Sequence, residues 1–99
     1  MQEKPAIAPK VRQLIKQQVG KLMKPYGLVR VEVDAGEDQD NDPILIIEAT
    51  YKLSDRPIDP AVLSRLTTEL RDKLWVRGET RFPHIHHRFA EDQKVVGYR

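Results

Sequence analysis

Cysteine is absent from the 99-residue sequence, which excludes disulfide bonds and thiolate chemistry and fits a reducing compartment. No stretch approaches the roughly 20 consecutive apolar residues of a membrane-spanning helix, and the N-terminus has no apolar run typical of a signal peptide. Aromatic residues are few, at one Trp, three Tyr and two Phe. These absences favour a small cytoplasmic protein that does not enter a membrane, and the length leaves room for one hydrophobic core.

The net charge of +2 conceals a strong segregation of charge along the chain. Residues 1–30 carry seven basic side chains and one acidic side chain, whereas residues 31–42 carry six acidic side chains and no basic one. Such asymmetry indicates either a surface that faces nucleic acid or compensation between neighbouring elements. The second interpretation requires fewer assumptions.

The spacing of apolar residues predicts two amphipathic helices. The first spans about residues 10–24, where apolar side chains recur every three or four positions after Pro9. The second begins after Asp59, a helix-capping residue directly before Pro60, and ends at Gly78. The apolar positions of the second helix are Leu63, Leu66, Leu70 and Leu74, with Val62 and Trp75 beside them.

Three strands complete the predicted fold. Residues 28–35 and 44–53 alternate apolar and polar side chains on either side of the turn-forming sequence GEDQDNDP, so we expect a hairpin with a wide loop. Residues 80–89 predict a third strand, which Pro83 makes irregular or confines to a sheet edge. The order α-β-β-α-β predicts an α+β domain with a three-stranded sheet and two helices on one face, a split ferredoxin-like or KH-like architecture.

The predicted domain spans residues 10–89. Residues 1–9 are expected to form a flexible N-terminal lead-in. Residues 90–99 are expected to form a C-terminal tail or a short added strand, and they carry Val95, Val96 and Tyr98.

The second strand is apolar on both of its faces. Alternation directs Leu45 and the residues at every second position after it towards the helices, and it directs Ile44 and Ile46 the other way. Two neighbouring isoleucines are not ordinarily left in water, and Phe82 joins them if the third strand lies nearby. We therefore expect the C-terminal segment, a second copy of the chain or another protein to cover Ile44, Ile46 and Phe82. This favours a non-catalytic interaction or regulatory domain, with homodimerisation or a protein partner.

All three histidines lie within the sequence RFPHIHHRF. Strand alternation places His84 and His86 on the outer face and His87 on the core side. Alternate residues of a strand lie about 6–7 Å apart, so an H-x-H pair can reach one Zn²⁺. Glu48 is the best third ligand if the second and third strands are neighbours. The alternatives are solvated or hydrogen-bonded histidines, or a pair that meets a partner and changes that contact on protonation near pH 6.5.

The sequence HIH on the last strand of an α-β-β-α-β unit resembles the cytoplasmic domain of cation diffusion facilitator transporters. The resemblance covers the element order over residues 10–89 and this one short motif. The chain has no counterpart of the transmembrane part of those proteins. No function is transferred from that family.

The acidic turn repeats aspartate at alternate positions, as the start of a calcium-binding loop does. The three residues are Asp38, Asp40 and Asp42. Pro43 stands where that loop needs glycine, and Ala49 stands where it needs a bidentate glutamate. We therefore expect a solvated hairpin turn in which Asp and Asn accommodate tight backbone angles.

The first helix is basic outside its apolar stripe. Its cations are Lys10, Arg12, Lys16, Lys21 and Lys24. They offer an alternative function in nucleic-acid binding through phosphate contacts. The element order also resembles KH-type RNA-binding modules, but neither GKLM at Gly20 nor GETR at Gly78 supplies the GxxG loop between two helices.

Sequence features of an active site are weak. The sequence has no glycine-rich phosphate loop, no motif beside Ser54 or Ser64 and no outstanding pair of acids. A small sheet covered on one face leaves little room for a pocket. We expect a protein without enzymatic activity and without a cofactor, zinc at the histidine pair being the alternative.

Overall fold

The chain folds as an α-β-β-α-β unit, as the sequence predicts. The computed structural model describes residues 6–94. Its elements are α1 (Pro9–Met23), a short 3-10 helix (Lys24–Tyr26), β1 (Leu28–Glu37), β2 (Pro43–Tyr51), α2 (Pro60–Val76) and β3 (Phe82–Arg88). The strands lie in the order β1-β2-β3, with β1 antiparallel and β3 parallel to β2. The predicted α+β class is therefore confirmed.

Local sequence signals set the helix ends. The Asp59 carboxylate accepts a hydrogen bond from the Ala61 N–H at 2.9 Å, directly before Pro60 starts α2. Gly78 adopts a left-handed φ of 85° after α2, and its N–H donates to the Trp75 carbonyl at 3.0 Å. Pro9 occupies the first turn of α1, where the lack of an N–H removes no helical hydrogen bond.

Both helices pack on the same face of the sheet. α1 contacts β1, α2 contacts β3, and the two helices contact each other. Between them lies one hydrophobic core, whose side chains include Ile15, Val19, Met23, Val33, Leu45, Ile47, Ala49, Tyr51, Ile58, Leu66, Leu70 and Leu74. Where the helices meet, the buried Gln18 amide oxygen accepts a hydrogen bond from Lys73 Nζ at 2.6 Å. The helices thus cover one sheet face, and neither is long and apolar enough to cross a membrane among residues 6–94.

Three apolar residues that the sequence pattern assigns to the core side are exposed. Val29 is 63% exposed because the β1–β2 register shifts between Leu28 and Arg30, which leaves Val29 without a cross-strand partner. Leu53 is exposed because β2 ends at Tyr51. Trp75 directly follows the buried Leu74, and successive side chains of a helix point about 100° apart. Trp75 is therefore 66% exposed.

Gly20 offers a stability prediction inside α1. A Cβ added there meets no atom within 4 Å, which rules out the close packing that a helical glycine can indicate. Gly20→Ala is therefore expected to raise the free energy of unfolding by about 0.5–1 kcal/mol, since alanine loses less backbone entropy in a helix. Denaturant titration followed by circular dichroism measures the change. A decrease in stability would show that the helix has a neighbour at Gly20.

Candidate interaction surface on the sheet

The sheet face opposite the helices is called the outer face here. The register places its side chains in four rows that cross β1, β2 and β3 in that order. The rows are Gly36–Ile44–Phe82, Asp34–Ile46–His84, Glu32–Glu48–His86 and Arg30–Thr50–Arg88. The first two rows hold the predicted interface residues, and the last two are polar. Within residues 6–94, α1 and α2 both pack on the other face of the sheet.

The apolar end of the outer face is smaller than the sequence suggests. Phe82 is 42% exposed and Ile46 is half-buried, but Ile44 keeps only 7% of its surface exposed, with Gly36 and Phe82 on its two sides. Ile46 lies over Gly36, where an added Cβ would come within 2.5 Å of Ile46 Cδ1. The three predicted residues therefore share one end of one face, and Phe82 presents most of the apolar surface there.

An ion pair holds the start of β3, and with it Phe82. Arg81 Nε and Nη2 donate to the two carboxylate oxygens of Glu79 at 2.8 and 2.7 Å. Both side chains are mostly buried, and Arg81 Nη2 also donates to the Ala6 carbonyl at 3.3 Å. The hydrogen bond from Arg81 holds the pKa of Glu79 below its ordinary value. A bidentate pair of this kind fixes the backbone directly before Phe82.

The two sides of the outer face differ in charge. Carboxylates occupy the β1 and β2 positions, where Glu32, Asp34 and Glu48 line a shallow depression of about 250 Å³ beside Ile46. The imidazoles of His84 and His86 occupy the β3 side. At the polar end, each arginine lies against a carboxylate of its own chain, Arg30 with Glu32 at 3.1 Å and Arg88 with Glu48 at 3.4 Å.

The structure places the predicted zinc ligands on one face but does not gather them into a site. β2 and β3 are neighbours, and Glu48 is the register partner of His86. However, the Glu48 carboxylate lies against Arg88, and the His84 ring packs edge-on against Phe82 at 5.3 Å. Within residues 6–94, no three His, Asp or Glu side chains are grouped so that they could hold a metal ion. Zinc binding by His84, His86 and Glu48 remains a prediction.

His87 lies on the helix side of the sheet, as alternation predicts. Its Nδ1 and the Tyr51 hydroxyl are 2.7 Å apart, and its ring stacks on Phe89 with centroids 5.6 Å apart. Burial lowers the pKa of His87, with the charge of His86 adding to the effect, and burial raises the pKa of Tyr51. In the neutral tautomer with the proton on Nε2, His87 accepts a hydrogen bond from the Tyr51 hydroxyl at Nδ1.

The His87 environment predicts that stability falls in mild acid. Because the folded-state pKa lies below the ordinary value near 6.5, the unfolded chain binds the proton more readily. The free energy of unfolding is thus highest above pH 6.5 and decreases below it, by at most about 1.4 kcal/mol per pH unit for one proton. Denaturant titrations at pH 7.5 and 5.5 test this against His87→Gln, which should lose less stability. An equal loss in both proteins would contradict the prediction.

Both outer edges of the sheet are protected against pairing with another strand. On β1, the Val33 carbonyl accepts a hydrogen bond from Arg12 Nη1 at 2.7 Å, and the Ala35 N–H donates to the Asp34 carboxylate at 2.9 Å. On β3, Pro83 has no N–H to offer. A backbone group that is already hydrogen-bonded, or an N–H that is missing, cannot bond to an added strand, so pairing of a further strand with these edges is disfavoured. The faces of the domain are therefore better candidates for contact than its edges.

The basic first helix is only partly free to meet a ligand. Arg12 is half-buried against β1 through its hydrogen bond to Val33. The other four predicted cations, Lys10, Lys16, Lys21 and Lys24, are exposed. Arg12 thus uses one of its N–H donors on β1, and nucleic-acid binding by the five predicted residues of the first helix remains a prediction.

The acidic turn has the geometry of a self-contained hairpin loop. The Asp38 carboxylate accepts hydrogen bonds from the N–H groups of Asp40 and Asp42 at 2.8 and 3.0 Å. Asn41 adopts a left-handed φ of 65°. These local bonds occupy the first carboxylate of the partial calcium motif, which agrees with the interpretation as a structural turn.

A second exposed apolar area lies at the end of α2, and sequence reasoning missed it. Val76 is 84% exposed and adjoins the exposed Trp75. A groove of about 430 Å³ beside them is lined by Leu14, Asp72, Lys73, Val76 and Arg77. The sequence does contain a signal for this area. Trp75 and Val76 follow Leu74, the last apolar position of the helix, and precede Gly78, where the helix has ended.

The C-terminal segment turns away from the apolar end of the outer face. The Lys94 carbonyl accepts a hydrogen bond from the Ile58 N–H at 2.8 Å, and the Gln93 side chain bonds to the backbone of Ser54 and Arg56. This anchor lies beyond the C-terminal ends of β2 and β3, whereas Ile44 and Phe82 lie at their N-terminal ends. The expectation that Val95, Val96 and Tyr98 cover the outer face concerns residues outside the described range.

No family model matches this sequence, and no curated protein or solved structure matches the chain. The two resemblances noted from the sequence therefore rest on element order and short motifs alone.

Proposed function

We propose that this protein is a small interaction or regulatory domain without catalytic activity, which associates through the outer face of its sheet. The observation that carries the proposal is the pair of Ile46 and the 42%-exposed Phe82 on a sheet face that no other described element covers. Apolar side chains grouped on one face of an antiparallel or mixed sheet favour burial against another surface.

The protected sheet edges support contact through the face. Arg12 and Asp34 occupy backbone groups on the β1 edge, and Pro83 lacks one on the β3 edge. A partner that added a strand would need to displace these groups. Packing on the outer face needs no such rearrangement, because its side chains already project away from the core.

The size of the face sets the expected strength of association. Three strands spaced about 4.8 Å apart and seven residues long give a surface of roughly 14 by 23 Å. Packing two such faces buries on the order of 1,000 Å² in total, at the low end of specific interfaces. Interfaces at this end of the size range are typical of transient association, so the expected dimer is in equilibrium with its monomer at micromolar concentrations.

Analytical ultracentrifugation of the full chain tests the proposal. Sedimentation velocity between 1 and 100 µM is expected to show a concentration-dependent increase in mass towards a dimer. In the alternative with a different partner, the protein alone stays monomeric, and outer-face variants abolish capture of that partner. A monomer at all concentrations, combined with unchanged partner capture by outer-face variants, would refute the proposal.

A further inference from the structure

The outer face is complementary to itself in one orientation. Its β1 side carries Asp34 and Glu32, and its β3 side carries His84 and His86 in the same two rows. Acid and imidazole thus lie on opposite sides of the central strand. Building on the proposed function, we propose that the occupant of the outer face is a second copy, related by a two-fold axis parallel to β2, in which carboxylates of one chain face imidazoles of the other.

Two closed arrangements stack the outer faces of identical chains with their strands aligned. A two-fold axis parallel to β2 places β1 over β3 of the second copy and keeps every row in register with itself. An axis in the sheet plane and perpendicular to β2 places β1 over β1 and reverses the rows. Aligned packing of two sheets at about −30° accommodates either arrangement, so side-chain chemistry decides between them.

The parallel axis pairs unlike groups. Asp34 lies opposite His84 of the second copy, and Glu32 lies opposite His86. In the first row, Phe82 lies opposite Gly36 and the Ile46 side chain that covers it, and Ile44 meets its own counterpart across the axis. Apolar against apolar, and acid against imidazole, is the complementarity that an isologous interface requires.

The perpendicular axis pairs like groups. It places Glu32 opposite Asp34 and His84 opposite His86, and it directs the charged Arg88 onto the apolar Phe82. Like charges placed directly opposite one another destabilise an interface. The charge distribution therefore selects the parallel axis.

Several other charged groups lie beside these contacts. Glu48 on β2 adjoins His86 within the chain, and its carboxylate also meets Arg88 at 3.4 Å. Arg30 lies opposite Arg88 of the second copy, but each guanidinium already lies against its own carboxylate, which offsets the repulsion. Glu48 also meets its counterpart near the axis, where Arg88 supplies positive charge from both chains.

A charge-exchange experiment tests the orientation directly. Asp34→Lys/Glu32→Lys removes the carboxylates that face the imidazoles, and His84→Glu/His86→Glu places carboxylates opposite carboxylates in a homodimer. Each variant alone is expected to bind at least tenfold more weakly at pH 7. Mixing the two restores unlike pairs at every contact and is expected to recover a heterodimer. All four substituted residues occupy the two rows that contain Ile46 and Glu48. Circular dichroism melting verifies that each variant folds.

The outcomes separate this inference from the broader proposal. A wild-type protein that stays monomeric at every concentration would refute both the two-fold dimer and homodimerisation in general. A wild-type dimer that is weakened by Phe82 substitutions but shows no recovery on mixing retains the outer face as the interface and removes the parallel two-fold arrangement. A dimer that persists in the outer-face variants would refute both the two-fold arrangement and the outer face as the interface.

Discussion

Phe82→Glu combined with Ile46→Thr is expected to weaken self-association at least 30-fold, so that the transition from monomer to dimer moves to at least 30-fold higher protein concentration. Phe82 is the most exposed apolar side chain of the outer face, and Ile46 lies beside it over Gly36. Aromatic anchors at interfaces each contribute on the order of 2 kcal/mol or more, and a two-fold dimer loses each anchor twice. Sedimentation velocity at pH 7 measures the loss.

Trp75→Glu is the matched control for this prediction. Trp75 is 66% exposed, more than Phe82, and it lies on α2 on the opposite side of the domain from the outer face. A general loss of apolar surface would weaken association in both variants. If Trp75→Glu weakens association and the outer-face variant does not, the interface lies at the groove beside Leu14 and Val76 instead.

Gly27→Ala is expected to reduce the free energy of unfolding by about 3 kcal/mol or more. Gly27 has a φ of 90°, and an added Cβ would come within 2.5 Å of the Lys52 carbonyl oxygen. That oxygen belongs to the backbone, and the Lys52 N–H is itself bonded to the Gly27 carbonyl at 2.9 Å, so neither strand can move aside without breaking the start of the hairpin. The left-handed backbone adds a further penalty of about 1–2 kcal/mol.

Gly78→Ala separates the two contributions. Gly78 has a similar φ of 85°, but an added Cβ there meets nothing within 4 Å. Its expected loss is therefore the backbone penalty alone, about 1–2 kcal/mol. Thermal and denaturant unfolding of both variants give the comparison, and equal losses would contradict the close approach of Gly27 to Lys52.

The sequence was sufficient for the parts of the fold that depend on periodicity and on local caps. The i,i+4 spacing of Leu66, Leu70 and Leu74 and the pair Asp59–Pro60 predict α2 because both signals act within one or two turns. The two-residue alternation around His84–His87 correctly divides the histidines between the two faces. These features need no knowledge of which strand lies beside which.

Features that depend on contacts between distant segments were beyond the sequence. The β1 bulge that exposes Val29 and the cover of the edge by Arg12 both arise from how separate elements meet. Ile44 is another case, because its burial depends on the neighbours that pairing with β1 and β3 brings to its sides. The alternation pattern alone therefore overstated the apolar area of the outer face.

The structure also changes the interpretation of the candidate site. Parallel pairing of β2 and β3 places Glu48 beside His86, which the zinc hypothesis required, but the same pairing brings Arg88 onto that carboxylate. It also reveals that acids and imidazoles occupy the same rows of one face. The sequence could not predict this arrangement, because the acids and the histidines lie about fifty residues apart and only the strand register aligns them.

Methyl-detected NMR during dilution tests the central claim most directly. In a sample with labelled isoleucine and valine methyl groups, reduction from 500 to 5 µM is expected to shift the signals of Ile44 and Ile46. The signals of Ile15 and Ile58, in the core beneath the helices, should remain unchanged. Shifts confined to Val76 at the end of α2, with Ile44 and Ile46 unaffected, would contradict association through the outer face.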